Sequence, residues 1–245
     1  METPSINFNY WLNKWNETTG NQSVLNVSYS SFRGTLNELE NEILRIVNLE
    51  NLTNQDILKV IDLINQWGGK MSRGFYLPKS KTKSNGSILI RIPRQIIEEQ
   101  ENIDRYKEGI NLARKNDLNS VNYFRQFGIG PSYIGKHAYF WSNCNLPIID
   151  AKIAGCFGYN SAQILLNNHN YADVVNHMDA IKEKENLDNV VKVEKALFAF
   201  HKNYFENNNT KFKTKIYDFT DCKYSINVAR LLGIIIPDYL EKKFM

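Results

Sequence analysis

Apolar residues recur at helical spacing along much of the chain. In the clearest case, after candidate N-caps at Thr53 and Asn54, four of them form a single face: Ile57, Val60, Ile61 and Ile64. The same spacing returns between 193 and 204, where Val193, Leu197 and Phe200 line up. These patterns predict amphipathic helices in both places.

Strand-like patterns are few and short. Only 86–93 and 23–32 read as strands, and neither is long enough to build a sheet without partners. The glycine, proline and asparagine breaks between elements are too short to be linkers. We therefore expect a mainly α fold with at most a minor β hairpin. It would be one domain, 1–245, with two helical lobes around a central helix-hairpin-helix segment, 119–158.

The central segment predicts two helices joined by a tight turn. Ser120 lies near the start of the first helix and Pro131 in the first turn of the second, with Gly128 and Gly130 between them. Glycine permits close backbone approach, and a helix start offers N–H groups that can hold a phosphate. A glycine turn that merely connects two packed helices is the alternative.

An aspartate follows this segment at the start of another predicted helix. Asp150 comes directly after the apolar stretch 147–149, which makes it a candidate N-cap. A carboxylate in this position can simply satisfy helix N–H groups. If it is oriented and partly desolvated, it can also stabilise a developing cation or activate a nucleophile.

Composition narrows the class of protein. The chain has 245 residues, of which 42% are hydrophobic and 23% are charged, as in ordinary globular proteins. No apolar run reaches the roughly 18 residues of a membrane span, and the N-terminus lacks the order of a signal peptide. We expect a cytoplasmic protein with no membrane partner.

Cys144, Cys156 and Cys222 lack the spacing of zinc or iron–sulfur sites, so we expect neither metal nor cofactor.

The net charge of +4 is unevenly distributed. Between Trp67 and Ile97 there are seven basic residues and no acidic ones: Lys70, Arg73, Lys79, Lys81, Lys83, Arg91 and Arg94. This basic stretch indicates a surface that binds a polyanion. A solvated lysine-rich loop is the alternative.

Two stretches carry a family resemblance, "GIGPSYIGKHAYFW" and "LPIIDAKIA". They resemble the helix-hairpin-helix DNA glycosylases, and most closely the bacterial 8-oxoguanine DNA glycosylases called OGG-like. The resemblance covers 60–200 and is strong over 119–158. It implies excision of 8-oxoguanine or another modified guanine in base excision repair, with Lys136 and Asp150 at the positions of the catalytic residues. In the eukaryotic enzymes the lysine position corresponds to Ser132, and Lys136 lies one helical turn further along.

The resemblance also implies how DNA would bind. Backbone contacts would come from the turn and from the basic stretch, namely Gly128, Gly130, Ser132, Lys70, Arg73, Lys79, Lys81 and Lys83. The flipped nucleotide of a modified-base duplex would lie among aromatic residues, with core packing as the alternative for each: Trp67, Tyr133, Phe140 and Trp141.

Two chemistries remain open for the predicted catalytic pair. A desolvated, neutral Lys136 would attack the sugar C1′ and form a Schiff base, which gives AP lyase activity and strand scission. If the amine stays protonated, Asp150 would direct water and the protein would be a simple glycosylase. For Lys136 itself, a solvated lysine on an amphipathic helix is the alternative.

A second function remains open. By family context, proteins of this group also occur in antiphage operons of the type IV CBASS kind. There the pocket would recognise a modified guanine or a nucleic acid without cleaving it, and operon proteins would be its partners. The presence of both Lys136 and Asp150 favours an enzyme, because a binding module needs neither.

Overall fold

The computed structural model describes residues 6–27, 29–68, 97–127, 131–157, 159, 162 and 171–207, without the side chains of 131, 132 and 203–207. Among these residues there are nine α-helices and no β-strand, which confirms the prediction of a mainly α fold. The helices are α1 Phe8–Trp15, α2 Leu36–Val47, α3 Asn54–Trp67, α4 Gln100–Arg114, α5 Ser120–Arg125, α6 Pro131–Trp141, α7 Ala151–Cys156, α8 Tyr171–Lys184 and α9 Val190–Asn207. None of the helices in these ranges is long and apolar enough to cross a membrane.

The expected strand at 23–32 is wrong, because the described residues there form only two isolated bridges, Ser23 with Thr35 and Val27 with Ser30. Gln66 of α3 explains part of this outcome. Its side-chain amide donates to the carbonyl oxygens of Leu25 (2.9 Å) and Phe32 (3.1 Å). These backbone groups are therefore satisfied by a side chain rather than by a neighbouring strand. The other expected strand, 86–93, lies outside the described residues.

Threonine capping boxes begin two helices. Thr53 accepts a hydrogen bond from the backbone N–H of Asp56, whose carboxylate in turn accepts from the N–H of Thr53, so the predicted cap of α3 is confirmed. Thr35 and Glu38 form the same reciprocal pair at the start of α2. The boxes fix where α2 and α3 begin, and both helices go on to pack against α6.

The chain divides into two compact units, residues 20–144 and residues 1–19 with 145–245. We call them the α6 unit and the α9 unit, after the helix that contacts most of the others in each. In the α6 unit, α6 packs against α2, α3, α4 and α5. In the α9 unit, α9 packs against α1, α7 and α8.

Helix α6 is buried on all sides. Every residue from Tyr133 to Ser142 is buried, as expected for a helix at the centre of a bundle. Two polar side chains are nevertheless enclosed in it, Lys136 (9% exposed) and His137 (2% exposed). Enclosed polar groups destabilise a fold unless neighbouring groups compensate, so their surroundings are informative.

Helix α9 buries the apolar face that the sequence predicts. Val193, Leu197 and Phe200 are all in the core, and the ring of Phe200 contacts that of Trp11 in α1 edge to face, with centroids 5.4 Å apart. The same core also encloses Glu194 (6% exposed). Each unit thus has a charged side chain within its core.

Candidate active site

The side chain of Lys136 lies between two aromatic rings. Its Nζ is 4.5 Å from the ring centroid of Tyr133, one turn earlier on α6, and 6.0 Å from the ring of Trp67, the last residue of α3. Both distances fall within the range of cation–π contacts. We call Lys136, Tyr133 and Trp67 the Lys136 cluster. Its burial excludes the alternative in which Lys136 is a solvated surface lysine.

Helices α3 and α6 approach closely beside this cluster because of Gly68. The hydroxyl of Tyr133 donates to the carbonyl oxygen of Gly68 across 3.4 Å. A Cβ atom on Gly68 would lie 2.5 Å from the Tyr133 hydroxyl oxygen, which no side chain tolerates without movement. The glycine that follows α3 therefore leaves room for the Tyr133 side chain, which in turn contacts the amine of Lys136.

Aromatic packing continues behind the cluster. The ring of Trp67 stacks on Tyr139 at 6.2 Å and meets Phe140 edge to face at 5.5 Å. The Tyr139 hydroxyl donates to the Glu40 carboxylate of α2 across 2.8 Å, and both of these side chains are buried. A buried carboxylate is thus anchored next to the rings that hold the amine.

The four predicted base-pocket residues have different surroundings. Phe140 and Trp141 are completely buried in the core, with no ring face left for a nucleotide base. Tyr133 is also buried, and its ring is in contact with Lys136. Trp67 is half-buried, so of these four it has the ring surface that remains open to a ligand.

His137 belongs to a separate buried network on the neighbouring face of α6. The indole nitrogen of Trp141 donates to the Tyr106 hydroxyl across 2.9 Å, and this hydroxyl and His137 Nδ1 share a hydrogen bond of 2.5 Å. Burial lowers the pKa of His137 to about 3, and the adjacent charge of Lys136 acts in the same direction. Burial also raises the pKa of Tyr106 above its ordinary range. Both groups are therefore neutral, and they tie α6 to α4.

Asp150 occupies the position that the sequence predicts, the N-cap of α7. Its Oδ1 accepts hydrogen bonds from the backbone N–H groups of Lys152 (2.9 Å) and Ile153 (3.0 Å). Ile148 and Ile149 before it are buried, while Asp150 itself is half-buried. Because both of these bonds end on Oδ1, the carboxylate is oriented by the helix and Oδ2 takes no part in the cap.

Three other ionisable groups of the α9 unit lie in α7 or near it, Tyr171, His201 and Cys156. The Tyr171 hydroxyl donates to the carbonyl oxygen of Pro147, three residues before Asp150, across 2.7 Å. Burial, followed by the charge of Lys152, lowers the pKa of His201 to about 4. Burial, followed by the charge of Asp150, raises the pKa of Cys156 above its ordinary range. This thiol is therefore protonated and unreactive at neutral pH.

The predicted catalytic residues fall in different units, Lys136 in the α6 unit and Asp150 in the α9 unit. Helices α5 and α6 confirm the two helices predicted on either side of the turn. Most predicted DNA contacts lie outside the described residues and stay predictions: Gly128, Gly130, Lys70, Arg73, Lys79, Lys81 and Lys83. Ser132 lies in the first turn of α6, and its side chain is also outside the described part.

Sequence reasoning missed Glu40 and the His137 network. A signal existed for Glu40, which precedes Ile43 by three residues and Val47 by seven and so lies on the apolar face of α2. The bond between Tyr106 and His137 joins residues 31 positions apart on different helices. A pairing of this kind depends on tertiary packing, and local spacing does not reveal it.

No family model matches the chain, and neither a curated protein nor a solved structure is significantly similar to it. In the part of the chain that the structure describes, no group of three or more histidine, cysteine, aspartate or glutamate side chains is arranged to hold a metal ion. A functional assignment therefore depends on the residues themselves, and above all on the Lys136 cluster.

Proposed function

We propose that the protein is a DNA N-glycosylase that excises an oxidised or modified guanine, such as 8-oxoguanine, from DNA. The observation that carries this proposal is the buried amine of Lys136 between the rings of Trp67 and Tyr133. Lysine is among the residues least often enclosed in a protein, and an enclosed amine is typical of a nucleophile or of a Schiff-base lysine. Packing alone favours an apolar residue at this position.

In the proposed reaction, the amine of Lys136 first gives up its proton and then attacks C1′ of the target nucleotide. The bond between C1′ and the base nitrogen breaks, its electron pair leaves with the base, and the base takes up a proton. The attacking nitrogen loses a proton, the sugar ring opens and a Schiff base to Lys136 forms. Loss of a proton from C2′ then eliminates the 3′ phosphate, which is the AP lyase step.

Asp150 stabilises the positive charge that develops on the sugar as the base departs. Its Oδ1 is held by two backbone N–H groups of α7, so the carboxylate is oriented before a substrate arrives. An oriented carboxylate needs little rearrangement during the reaction, which supports the catalytic role beside that of helix cap.

DNA binding in this proposal comes mainly from phosphate contacts. The basic stretch supplies lysine and arginine side chains without an intervening carboxylate, and the turn at 128–130 supplies backbone N–H groups. The half-buried ring of Trp67 is then available to the base that is turned out of the duplex. We expect the protein to act on DNA in the cytoplasm.

The proposal is tested by incubating the protein with duplexes that each carry one modified base. Release of 8-oxoguanine or of another modified guanine, followed by strand nicking, is the expected result. Tight binding of such a duplex with no base release from any of them would contradict the enzyme. That outcome would favour the recognition protein of an antiphage system instead.

A further inference from the structure

Trp67 carries a hydrogen-bond donor that the fold leaves unused. Its indole nitrogen is sealed from solvent, and no acceptor for it lies among the residues that the structure describes. The ring is meanwhile in contact with Lys136, Tyr139 and Phe140. The unused donor therefore belongs to the Lys136 cluster, beside the proposed nucleophile.

The other tryptophan of the α6 unit, Trp141, shows the usual arrangement of a buried indole nitrogen. Trp141 is completely buried, and its indole nitrogen donates to the Tyr106 hydroxyl across 2.9 Å. Buried tryptophan nitrogens usually have a partner of this kind, because an enclosed N–H without an acceptor destabilises the folded state. Trp67 differs from Trp141 in both respects. Its ring is only half-buried, and its indole nitrogen, which is buried, has no acceptor among the described residues.

We propose that an extruded base displaces what covers the indole N–H of Trp67 and is read by it, through a hydrogen bond from the N–H to a carbonyl oxygen or ring nitrogen on the edge of the base. This inference rests on the proposed glycosylase function and adds the selecting group to it. A site with an unused donor binds a base that supplies an acceptor and rejects one that leaves the donor buried and unpaired. 8-Oxoguanine presents carbonyl oxygens at C6 and C8, whereas an abasic sugar presents no base acceptor.

Trp67→Phe separates the donor from the ring, because phenylalanine keeps an aromatic face beside Lys136 and lacks the N–H. The matched control is Trp141→Phe, which removes an indole nitrogen that already has a partner. Thermal unfolding should then distinguish the two variants. Trp141→Phe leaves the Tyr106 hydroxyl without its donor and lowers Tm by more than Trp67→Phe, which removes an unsatisfied group.

The deciding measurement is the affinity of each protein for two duplexes. One carries 2′-fluoro-8-oxoguanosine, whose fluorine slows cleavage by destabilising the cationic transition state, and the other carries the abasic analogue tetrahydrofuran. We expect the wild type and Trp141→Phe to prefer the 8-oxoguanine duplex to the same extent. Trp67→Phe should lose about three- to tenfold of that preference, the range expected for one hydrogen bond.

An unchanged preference in Trp67→Phe would overturn the inference, and so would an equal loss in Trp141→Phe. If the wild type still released the base from an ordinary 8-oxoguanine duplex, the proposed function would survive either outcome. A wild type that neither prefers nor releases the modified base would overturn the proposed function and, with it, the role of Trp67.

Discussion

Helices α6 and α9 are each the central helix of a unit, but their exposed surfaces differ. Along α9 four half-buried positions recur every three or four residues and form a narrow stripe: Lys192, Lys195, Phe198 and Lys202. Three lysines thus lie on the side of α9 that reaches solvent. Between Tyr133 and Trp141, α6 has no such stripe, and yet it contains Lys136.

The difference shows why the lysine of α6 needs an explanation and the lysines of α9 do not. A lysine on a half-buried stripe can cover apolar surface with its stem and still reach solvent. Lys195 stays half-buried in this way, although its Nζ lies 4.3 Å from the ring centroid of Trp15. Lys136 is instead buried, with its amine beside the rings of Tyr133 and Trp67. An amine in such surroundings is suited to chemistry that solvent would suppress.

The largest effect on the rate of base release is expected from Asp150→Asn, which tests whether the α9 unit contributes a catalytic group. Asparagine is also a good N-cap, so α7 and the fold should persist. Removing the charge should nevertheless lower the rate of base release by about 100-fold or more, as loss of a preorganised electrostatic group does in other enzymes. Single-turnover base release and circular dichroism check the two parts. Release at the wild-type rate would confine Asp150 to its role as a cap.

Acid should weaken both units through their buried histidines. The folded-state pKa values are about 3 for His137 and about 4 for His201, against an ordinary value near 6.5. Between pH 6.5 and 4 the unfolded chain binds protons that the folded protein does not, so stability is complete above pH 6.5 and is lost as the pH falls. The free energy of unfolding should change by up to about 2.7 kcal/mol per pH unit if both histidines contribute.

Urea unfolding at several pH values measures this slope, and NMR titration assigns it to individual residues. We expect the Cε1 proton shifts of His137 and His201 to stay constant from pH 8 to pH 5. A stability that does not change between pH 6.5 and 4.5 would contradict burial of neutral histidines in either central helix.

Gly68→Ala tests whether the close approach of α3 sets the position of Tyr133. The new Cβ would lie 2.5 Å from the Tyr133 hydroxyl oxygen, so either the Tyr133 ring or the backbone at 68 must shift, and the fit beside Lys136 changes. We expect a loss of about 1 to 3 kcal/mol in the free energy of unfolding, typical of overpacking. The matched control is Gly20→Ala, where the atoms nearest to the new Cβ belong to the flexible side-chain amide of Asn37. Equal effects of the two substitutions would argue against a special fit at Gly68.

The smallest expected effect is on the salt dependence of DNA binding, which tests which lysines contact DNA. Replacing Lys79, Lys81 and Lys83 by alanine should reduce the slope of log affinity against log salt concentration by about 2.7, because three phosphate contacts are lost. The same change at three lysines of the α9 stripe is the control and should leave the slope unaltered: Lys192, Lys195 and Lys202. A slope that responds only to the control would move the DNA-binding surface from the basic stretch to α9.

Helical spacing and caps predicted much of the local structure. The apolar face of α3, the cap at Thr53 and the cap at Asp150 all depend on residues within one or two turns of each other, and each is confirmed. The expected strand at 23–32 is wrong in part because Gln66, more than 30 residues further along the chain, donates to two of its carbonyl groups. Local pattern carried no information about that side chain.

The candidate site was harder to predict from the sequence, because it also depends on contacts between residues that are distant along the chain. Lys136 could be named from its segment, but its burial depends on α2, α3, α4 and α5 closing around α6. The pattern of α6 also left the aromatic residues ambiguous, because Phe140 and Trp141 serve the core while Trp67, from another helix, lies half-exposed beside the amine. Only tertiary packing separates rings that fill a core from a ring that a ligand can reach.

Borohydride trapping on an 8-oxoguanine duplex tests most directly whether Lys136 is the nucleophile. Borohydride reduces a Schiff base to a stable amine, so the wild type should form a covalent protein–DNA adduct attached through Lys136. Lys136→Gln should bind the duplex and form no adduct. Lys195→Gln, which alters a half-buried lysine beside the Trp15 ring, should form as much adduct as the wild type. An adduct of undiminished yield in Lys136→Gln, or one attached through another residue, would contradict the account.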